Sequence, residues 1–427
     1  MMNRKPGQTY LMPLDGALDS PHVSSPTVMK NAYRLWHALA LGASIAMIMA
    51  SFSSFSCSMR LNQTETTENI PISHLSRVLH QTVKASVDPK KEFLFLAFYY
   101  PWYVAGAERW SQYGQDIHPL LGQYGSDQIS VAERHIDMAV RGGIDCFVVS
   151  WGKQVSKPAS NILNATLKAS NIDKIKFAML YESKSALPAD GDFANGAMDK
   201  FVSDMIFFRE TYFDHPSYLH INGRPVIYVY LTRYWKNVEK KMLKTINDKV
   251  GRNILIIADN PYYDANSSPH TSSNGIRDNS PVFEVYSSYN MYQFSRVKDG
   301  ELAVDYMFRE ALPVYQSWSN KTVYFPHVLP KYHDFREGHE PLLGDTDGFM
   351  KQLQVFACLP RPVWYQNEFP NLMFITSFNE WYEGSQIEPD ERFGYGYTFL
   401  DAIKLFKDSG TVCKENPNNV NSLVLQA

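Results

Sequence analysis

Two carboxylates three residues apart, Glu380 and Glu383, are the residues of this sequence best suited to chemistry. They lie in the stretch SFNEWYEGSQIEPD (residues 377–390), which follows a strongly apolar run at residues 372–375. A strand that ends in two acids, an amide and two aromatic residues is a poor core segment. Because a pair of carboxyl groups is the usual machinery for cleaving a glycosidic bond, we interpret these acids as a candidate proton donor and acceptor. The alternative is a strand end with two solvated acids.

The composition bounds the class of protein around these acids. The chain has 427 residues, 44% of them hydrophobic and 14% aromatic, which is enough for a large core. Its net charge of −3 gives no electrostatic footprint for nucleic acid, so we expect no such partner. The four cysteines show no CxxC spacing, which argues against a zinc site or a redox pair. We therefore expect no metal and no other cofactor, and we interpret Cys146 as a small core residue.

The first 90 residues differ from the rest. Residues 1–34 form a polar tail, and residues 35–59 contain no Asp, Glu, Lys or Arg. That uncharged stretch is long enough to span a bilayer as a helix, and the basic residues before it predict a cytoplasmic N-terminus. We expect a single-pass signal anchor, a stem at 60–90 and a large part outside the cytosol. A cleaved signal peptide, which would make the protein secreted, is the first alternative, and a buried soluble helix is the second.

From residue 91 onward, short apolar runs alternate with longer mixed segments. Near-continuous apolar strands separated by helices predict a parallel sheet buried on both faces. Eight such runs in this length predict an α/β fold, a (β/α)8 TIM barrel over residues 91–410, followed by a disordered tail at 411–427. An open doubly wound sheet is the alternative, but no GxGxxG or P-loop pattern occurs. The runs are 93–100, 144–151, 176–181, 226–231, 254–258, 282–286, 323–328 and 372–378.

Polar and aromatic side chains gather at the carboxyl ends of these runs, which is where the active site of such a barrel lies. A ring of aromatic residues around carboxylates suits a saccharide cleft, since ring faces stack on sugars and acids bind hydroxyls. Core packing is the alternative for each single aromatic residue. The predicted cleft residues are Tyr100, Trp102, Trp151, Glu182, Tyr230, Tyr289, Asn379 and Trp381, beside the acids Glu380 and Glu383. Asp259, Asn260 and His327 also end predicted strands.

Four motifs resemble glycoside hydrolase family 99, which contains the Golgi endo-α-1,2-mannosidases and the bacterial endo-α-mannanases. They are FYYPWY (98–103), HPLLGQY (118–124) followed by Ser-Asp at 126–127, VSW (149–151) and SFNEWYEGSQIE (377–388). The resemblance implies a (β/α)8 barrel and an oligosaccharide or N-glycan substrate. It also implies a type II single-pass Golgi or other secretory-pathway anchor with a luminal catalytic part. We expect a monomer.

The resemblance also implies roles for individual residues. Glu383 would be the general acid/base that protonates the glycosidic oxygen. Glu380 would be the base that takes a proton from the substrate's own 2-hydroxyl, which attacks the anomeric carbon to give a 1,2-anhydro sugar that water opens with net retention. Glu182 would bind a substrate hydroxyl. The residues alone do not choose between this route and the usual one, in which a carboxylate attacks carbon directly.

The sequence departs from the mannosidase pattern at several positions. Tyr382 replaces a typical His and Ser385 a typical Thr, while Glu182 lacks the proline and arginine expected after it. The segment EPDERFGY (388–395) is closer to the related WbsX-like proteins, which are found beside polysaccharide biosynthesis enzymes. These departures leave the acids in place and leave the mannose preference open.

Two rival functions are also compatible with the sequence. Asp345-Thr346-Asp347 matches the DxD pattern of metal-dependent glycosyltransferases, but three-residue patterns occur by chance, and we favour an N-terminal cap for a helix over residues 348–356. The second rival is a non-catalytic sugar-binding barrel. His333 and His339 are interpreted as residues of a solvated or substrate-facing loop rather than as metal ligands. Four N-x-Ser/Thr sequons, at Asn62, Asn164, Asn266 and Asn320, are compatible with a luminal domain.

Overall fold

The computed structural model describes residues 92–106, 110, 117–152, 161–162, 164–188, 191–260, 282–289, 297–318, 322–334, 340–359, 368–391 and 396–409. The predicted tail (1–34), anchor (35–59), stem (60–90) and C-terminal tail (411–427) lie outside these residues. Within the described ranges, every helix is too short or too polar to cross a bilayer.

A curled sheet of parallel strands forms the centre of the fold. Its strands run in the order β8-β7-β6-β5-β3-β2-β1-β10-β9, and the short β4 pairs antiparallel with β5. The architecture is α/β and TIM-barrel-like, as the alternation of apolar runs predicts. The strands are β1 Phe93–Tyr99, β2 Cys146–Trp151, β3 Lys176–Tyr181, β4 His220–Ile221, β5 Arg224–Val229, β6 Leu255–Asp259, β7 Val285–Ser287, β8 Val323–Tyr324, β9 His327–Val328 and β10 Asn371–Ile375.

The predicted seventh strand, residues 323–328, is divided into β8 and β9. β8 pairs with β7, and the amide of Phe325 donates to the carbonyl of Tyr286 at 2.8 Å. β9 pairs with β10, and the carbonyl of Pro326 accepts from the amide of Phe374 at 3.0 Å. Proline has no amide hydrogen to donate, so the ladder is interrupted at residue 326. One continuous segment of chain thus pairs with β7 at its start and β10 at its end.

The contacts of β1 show which side chains face the inside of the curled sheet. Phe98 meets Tyr228 of β5 edge-on, with ring centroids 4.9 Å apart, so both lie inside. Tyr99 instead contacts His135 of the helix Ile129–Arg141 (α1), on the outer face. Because successive side chains alternate between faces, Tyr100 returns to the inside. Alternate residues at the carboxyl ends of the strands are therefore the ones that can share a site.

Helices cover the outer face. The predicted helix N-terminus at Asp345 is confirmed, since its Oδ1 accepts from the amide of Gly348 at 2.6 Å. The helices are α1 Ile129–Arg141, α2 Ser183–Ala186, α3 Ala197–Phe208, α4 Lys240–Val250, α5 Ala303–Trp318, α6 Thr346–Ala357 and α7 Thr398–Ser409. A π-helical turn, Arg209–Phe213, extends α3.

The two described cysteines differ in state. Cys146 is free and buried, as predicted for a small core residue. Cys358, the residue after α6, is disulfide-bonded. Its partner lies outside the described residues, because Cys146 is free.

Candidate active site

The two predicted acids lie on a tight loop after β10. The amide of Ser377 donates to the carbonyl of Ser385 at 2.8 Å, and their hydroxyl oxygens are 3.0 Å apart, so the loop closes on itself at these residues. Glu380 is only 3% exposed. Its Oε1 accepts from the amide of Tyr382 at 3.0 Å, while its own amide donates to the Ser377 hydroxyl at 2.8 Å. The contacts between Ser377 and Ser385, which lies in the sequence GSQ after Glu383, thus close the loop and hold both acids on one turn.

Glu383 ends a chain of hydroxyl groups. The Tyr100 hydroxyl donates to the Tyr289 hydroxyl at 2.7 Å, and the Tyr289 hydroxyl donates to Oε2 of Glu383 at 2.8 Å. The pKa of Tyr100 is raised well above its usual value, first by burial and then by the charges of Glu383, Glu182 and Glu380. Residues from the ends of β1, β3, β7 and β10 therefore meet around one tyrosine hydroxyl, and the roles predicted for these residues stay predictions.

Glu182 is the third carboxylate of this group. Its Oε1 accepts from the Ser150 hydroxyl at 2.8 Å. Burial raises the pKa of Glu182 to about 7, with Glu383 and Asp259 adding to the rise and Ser150 opposing it. Gly152 leaves room for this side chain, since a Cβ there would lie 2.9 Å from the Glu182 Cβ. A carboxyl with this pKa is protonated in a substantial fraction of molecules near neutral pH.

Replacing Glu182 with Gln should change how stability depends on pH. The pKa of about 7 lies above the ordinary value of 4.5, so the folded chain disfavours the ionised form. That penalty is absent below the unfolded pKa, grows as the pH rises towards 7 and is complete above it. We expect Glu182→Gln to become more stable relative to the parent protein between about pH 5 and about pH 8, measured by calorimetry. A difference in melting temperature that is the same at both pH values contradicts this.

Asp259 is a buried acid that positions the tyrosine bonded to Glu383. Its Oδ1 accepts from the amide of Tyr289 at 2.8 Å, and its Oδ2 accepts from the amide of Leu231 at 2.9 Å. Nη1 of Arg233 lies 3.7 Å from Oδ2. Burial raises the pKa of Asp259, opposed by Arg233 and the two amides. We assign Asp259 to the framework of the site rather than to proton transfer.

Asn379 links the segment after β1 to the acid-bearing loop by hydrogen bonds. Its Oδ1 accepts from the amide of Tyr100 at 2.7 Å, and its Nδ2 donates to the Tyr100 carbonyl at 3.1 Å. The hydroxyl of Tyr103 donates to the Asn379 carbonyl at 2.7 Å. The side chain of Asn379 is thus fully buried and bonded to protein, and its predicted contact with substrate stays a prediction.

In the parts of the chain that the structure describes, no three His, Cys, Asp or Glu side chains are grouped so as to hold a metal ion. His327 is fully buried, and burial lowers its pKa to about 3, so its ring is neutral. The chemistry of the described site is that of carboxyl and hydroxyl groups.

Comparisons with known proteins agree with this fold. The family model described as "Glycosyltransferase WbsX" matches residues 192–403. The fold is similar to that of the GH99 endo-α-mannosidase of Bacteroides thetaiotaomicron solved with bis-tris propane, at 19% identity and a TM-score of 0.50, covering 74% of this chain and 96% of that one. Residues 192–403 of the chain are therefore WbsX-like. A "glycoside hydrolase-like protein" aligns at 16% identity and a TM-score of 0.55, covering 78% and 99%. No curated protein matches in sequence.

The region that matches the family model contains only part of the site. Residues 192–403 include Tyr230, Tyr289 and both acids of the β10 loop. Tyr100 and Glu182, which lie beside those acids, come from strands before the match begins. The site therefore combines residues inside the matched region with residues that precede it.

Two predicted aromatic residues lie near the acids. The ring of Trp102 is partly buried against Tyr100, with centroids 4.5 Å apart, and Tyr230 meets Tyr289 edge-on at 5.4 Å. Both side chains retain some exposure. This is the placement that a sugar-stacking residue requires, and their contact with substrate remains a prediction.

Trp151 packs against a helix on the outer face of the sheet. Its ring stacks on Tyr181 at 5.8 Å and meets Phe208 of α3 edge-on at 4.8 Å. The Tyr181 hydroxyl donates to Asp204 of the same helix at 2.7 Å, so this pair faces outward. Ser150 and Glu182 face the site instead, because alternate residues of a strand share a face. This outward packing does not support the predicted contact of Trp151 with substrate, which stays a prediction.

Sequence reasoning missed a buried polar network behind the acid-bearing loop. Glu388 accepts from Nε1 of Trp381 at 2.7 Å and from the hydroxyl of Tyr124 at 2.8 Å. Nε2 of His135 lies 3.1 Å from Oε1 of Glu388, and its Nδ1 lies 3.0 Å from the Tyr99 hydroxyl. Trp381 is 1% exposed, so the structure places it as an anchor of the loop, and its predicted contact with substrate stays a prediction. The one local signal was Glu388 itself, within the most specific motif.

A large cavity lies away from these residues. It has a volume of about 900 Å³ and lies along α4 and the starts of β5, β6 and β7. Four of its charged side chains form two ion pairs: Arg224 lies 2.9 Å from Glu284, and Lys244 lies 2.7 Å from Asp248. The size of a cavity alone therefore does not identify the candidate active site, which is identified by its carboxylates.

Proposed function

We propose that this protein is a glycoside hydrolase that cleaves internal α-mannosidic linkages of glycans, with a mechanism like that of endo-α-1,2-mannosidases. The observation that carries the proposal is the hydroxyl chain from Tyr100 through Tyr289 to Glu383, with Glu380 on the same turn. Support comes from the fold shared with glycoside hydrolases. The acids, the buried tyrosines and the partly exposed Trp102 and Tyr230 fit an oligosaccharide substrate.

In the proposed reaction, Glu380 takes the proton of the substrate's 2-hydroxyl, and O2 attacks the anomeric carbon. The bond from that carbon to the leaving oxygen breaks as Glu383 donates its proton to this oxygen. Water then opens the 1,2-anhydro sugar, giving its proton to Glu383 while Glu380 returns a proton to O2. The Tyr289 hydroxyl donates to Oε2 of Glu383 and so orients this carboxyl throughout. Two inversions at one carbon give net retention.

We further infer that the sheet closes into a full (β/α)8 barrel. The pairing of residues 323–328 with β7 at one end and with β10 at the other supports closure, because β10 in turn pairs with β1. A closed barrel converges the carboxyl ends of all its strands on one rim. That convergence explains how Tyr100 and Glu383 come together.

Incubation with a defined glycan tests the proposed function. The part of the chain after the stem, given a glucosylated high-mannose glycan, should release a short glucose-capped oligosaccharide with retained anomeric configuration. Mass spectrometry of the fragments and NMR of the new reducing end measure this. Binding of the glycan without any cleavage product would favour the non-catalytic sugar-binding barrel.

The name of the matching family favours a second candidate, a glycosyltransferase. Its DxD pattern, Asp345–Asp347, begins α6, where Asp345 caps the helix. Asn caps a helix about as well as Asp, so Asp345→Asn should preserve both stability and hydrolysis. A transferase that uses this carboxylate to hold a metal–nucleotide complex should lose activity in the variant. Assays with a nucleotide sugar, with and without a divalent metal, distinguish the two.

We propose that the protein is monomeric and anchored in a Golgi or other secretory-pathway membrane, with the catalytic part in the lumen. The disulfide at Cys358 supports an oxidising compartment, and the sequon asparagine Asn164 is exposed. After expression in a eukaryotic cell, we expect Cys358 in a disulfide-linked peptide and a glycan that Asn164→Gln removes. Non-reducing peptide mapping and glycosidase digestion measure these. A reduced Cys358 with an unmodified Asn164 contradicts the luminal placement.

A further inference from the structure

The residues that follow β9 contact the acid-bearing loop directly. The amide of His333 donates to the carbonyl of Glu383 at 2.7 Å. Nζ of Lys331 donates to the carbonyl of the next residue, Gly384, at 2.6 Å. Gly384 has a φ of +58°, and a Cβ there would lie 3.3 Å from His333, so the two segments are in close contact. The carbonyls of Glu383 and Gly384 are thus both held by one neighbouring segment.

That segment is itself fixed on its other side. Tyr332 and Leu342 exchange both backbone hydrogen bonds, at 3.1 and 2.8 Å. Gly344 packs so closely that a Cβ there would lie 2.7 Å from the Cβ of Lys331. The backbone around Lys331 is therefore held on both sides, which fixes the position from which its side chain reaches Gly384.

We propose that Lys331 is a positioning residue for Glu383, an inference that rests on the proposed function. An ammonium bonded to a carbonyl forms a charge-assisted hydrogen bond, which is shorter and stronger than a neutral one. The bond holds the carbonyl of Gly384, the residue after Glu383, and so helps to set where the Glu383 carboxyl meets the glycosidic oxygen. A displacement of about 1 Å at a reacting group can cost about 10²-fold in rate.

The role predicts an effect that depends on the leaving group. Protonation by Glu383 matters most when the leaving oxygen is a poor leaving group, such as a sugar alkoxide. A glycosyl fluoride of the same sugar needs far less help from the acid. A residue that positions the acid should therefore affect the two substrates unequally, whereas general loosening of the fold should affect both alike.

The experiment compares Lys331→Met with the parent protein on both substrates. We expect kcat for the glycosidic linkage to fall by about 10- to 10²-fold with KM nearly unchanged, and kcat for the fluoride to fall by less than about 3-fold. Lys331→Arg, which retains a cationic donor, should recover part of the loss. Lys404→Met, which removes an exposed lysine on α7, should match the parent protein. Calorimetry checks that each variant is folded.

Three results overturn the assignment. Equal losses on both substrates indicate a general structural role, a rise in KM alone indicates a substrate ligand, and unchanged kinetics indicate no role. Glu383→Gln is assayed in parallel. If Glu383→Gln is inactive and Lys331→Met is normal, only the role of Lys331 is refuted; if Glu383→Gln is fully active, the proposed function is refuted as well.

Discussion

Replacing Glu383 with Gln should reduce turnover of an unactivated α-mannosidic linkage by about 10²- to 10⁴-fold, the usual contribution of a positioned general acid. The fold and glycan binding should persist, because the amide has nearly the same shape and its oxygen can still accept from the Tyr289 hydroxyl, which is 2.8 Å from the carboxylate. Steady-state kinetics and calorimetric titration of a glycan measure the two properties separately.

A surface variant provides the control for this loss. Glu239 is an exposed acid, and Glu239→Gln should behave like the parent protein in both measurements. Loss of glycan binding together with turnover in Glu383→Gln would mean that this residue holds the substrate or the fold. Full turnover would remove Glu383 from the mechanism.

Replacing Glu380 with Gln should cause a loss of similar size on every substrate, including a glycosyl fluoride. The base acts on the attacking 2-hydroxyl, so a better leaving group does not compensate for its absence. The amide oxygen can still accept from the amide of Tyr382, now 3.0 Å from Oε1, and the turn should keep its shape. Comparing kcat on both substrates separates this variant from Glu383→Gln.

A sugar without the attacking hydroxyl distinguishes the proposed route from direct attack by a carboxylate. The parent protein should not cleave a 2-deoxy substrate if O2 forms the new bond to the anomeric carbon. If Glu380 attacks that carbon itself, a 2-fluoro sugar should leave a covalent adduct on Glu380 that peptide mass spectrometry detects. Detection of that adduct excludes the 1,2-anhydro intermediate.

The parts of the fold that depend on local pattern were predictable. The apolar runs that became β1, β2, β3, β5 and β6 are continuous because both faces of a parallel sheet are covered. The helix cap at Asp345 is also a local signal. The hairpin of β4 and β5 could have been predicted, since Asn222 and Gly223, both with positive φ, form the Asn-Gly pair typical of a two-residue turn.

The site was only partly predictable for physical reasons. Glu380 and Glu383 are three residues apart in the sequence, so they share a turn whatever the register of β10 is. The outward orientation of Trp151 depends on the register of β2 to a single residue, since one step reverses the face. The pair of His135 and Glu388 joins residues 253 positions apart, a separation for which no local pattern exists.

The pairing of β10 with β1 has a consequence for how segments of such proteins are handled. A fragment limited to residues 192–403 would include both acids, yet it would lack β1, β2 and β3. Its strands β5 and β10 would then each have one edge of unpaired backbone donors and acceptors, which favours self-association. In this architecture, the boundaries of a family match are therefore not the boundaries of a segment that can fold on its own.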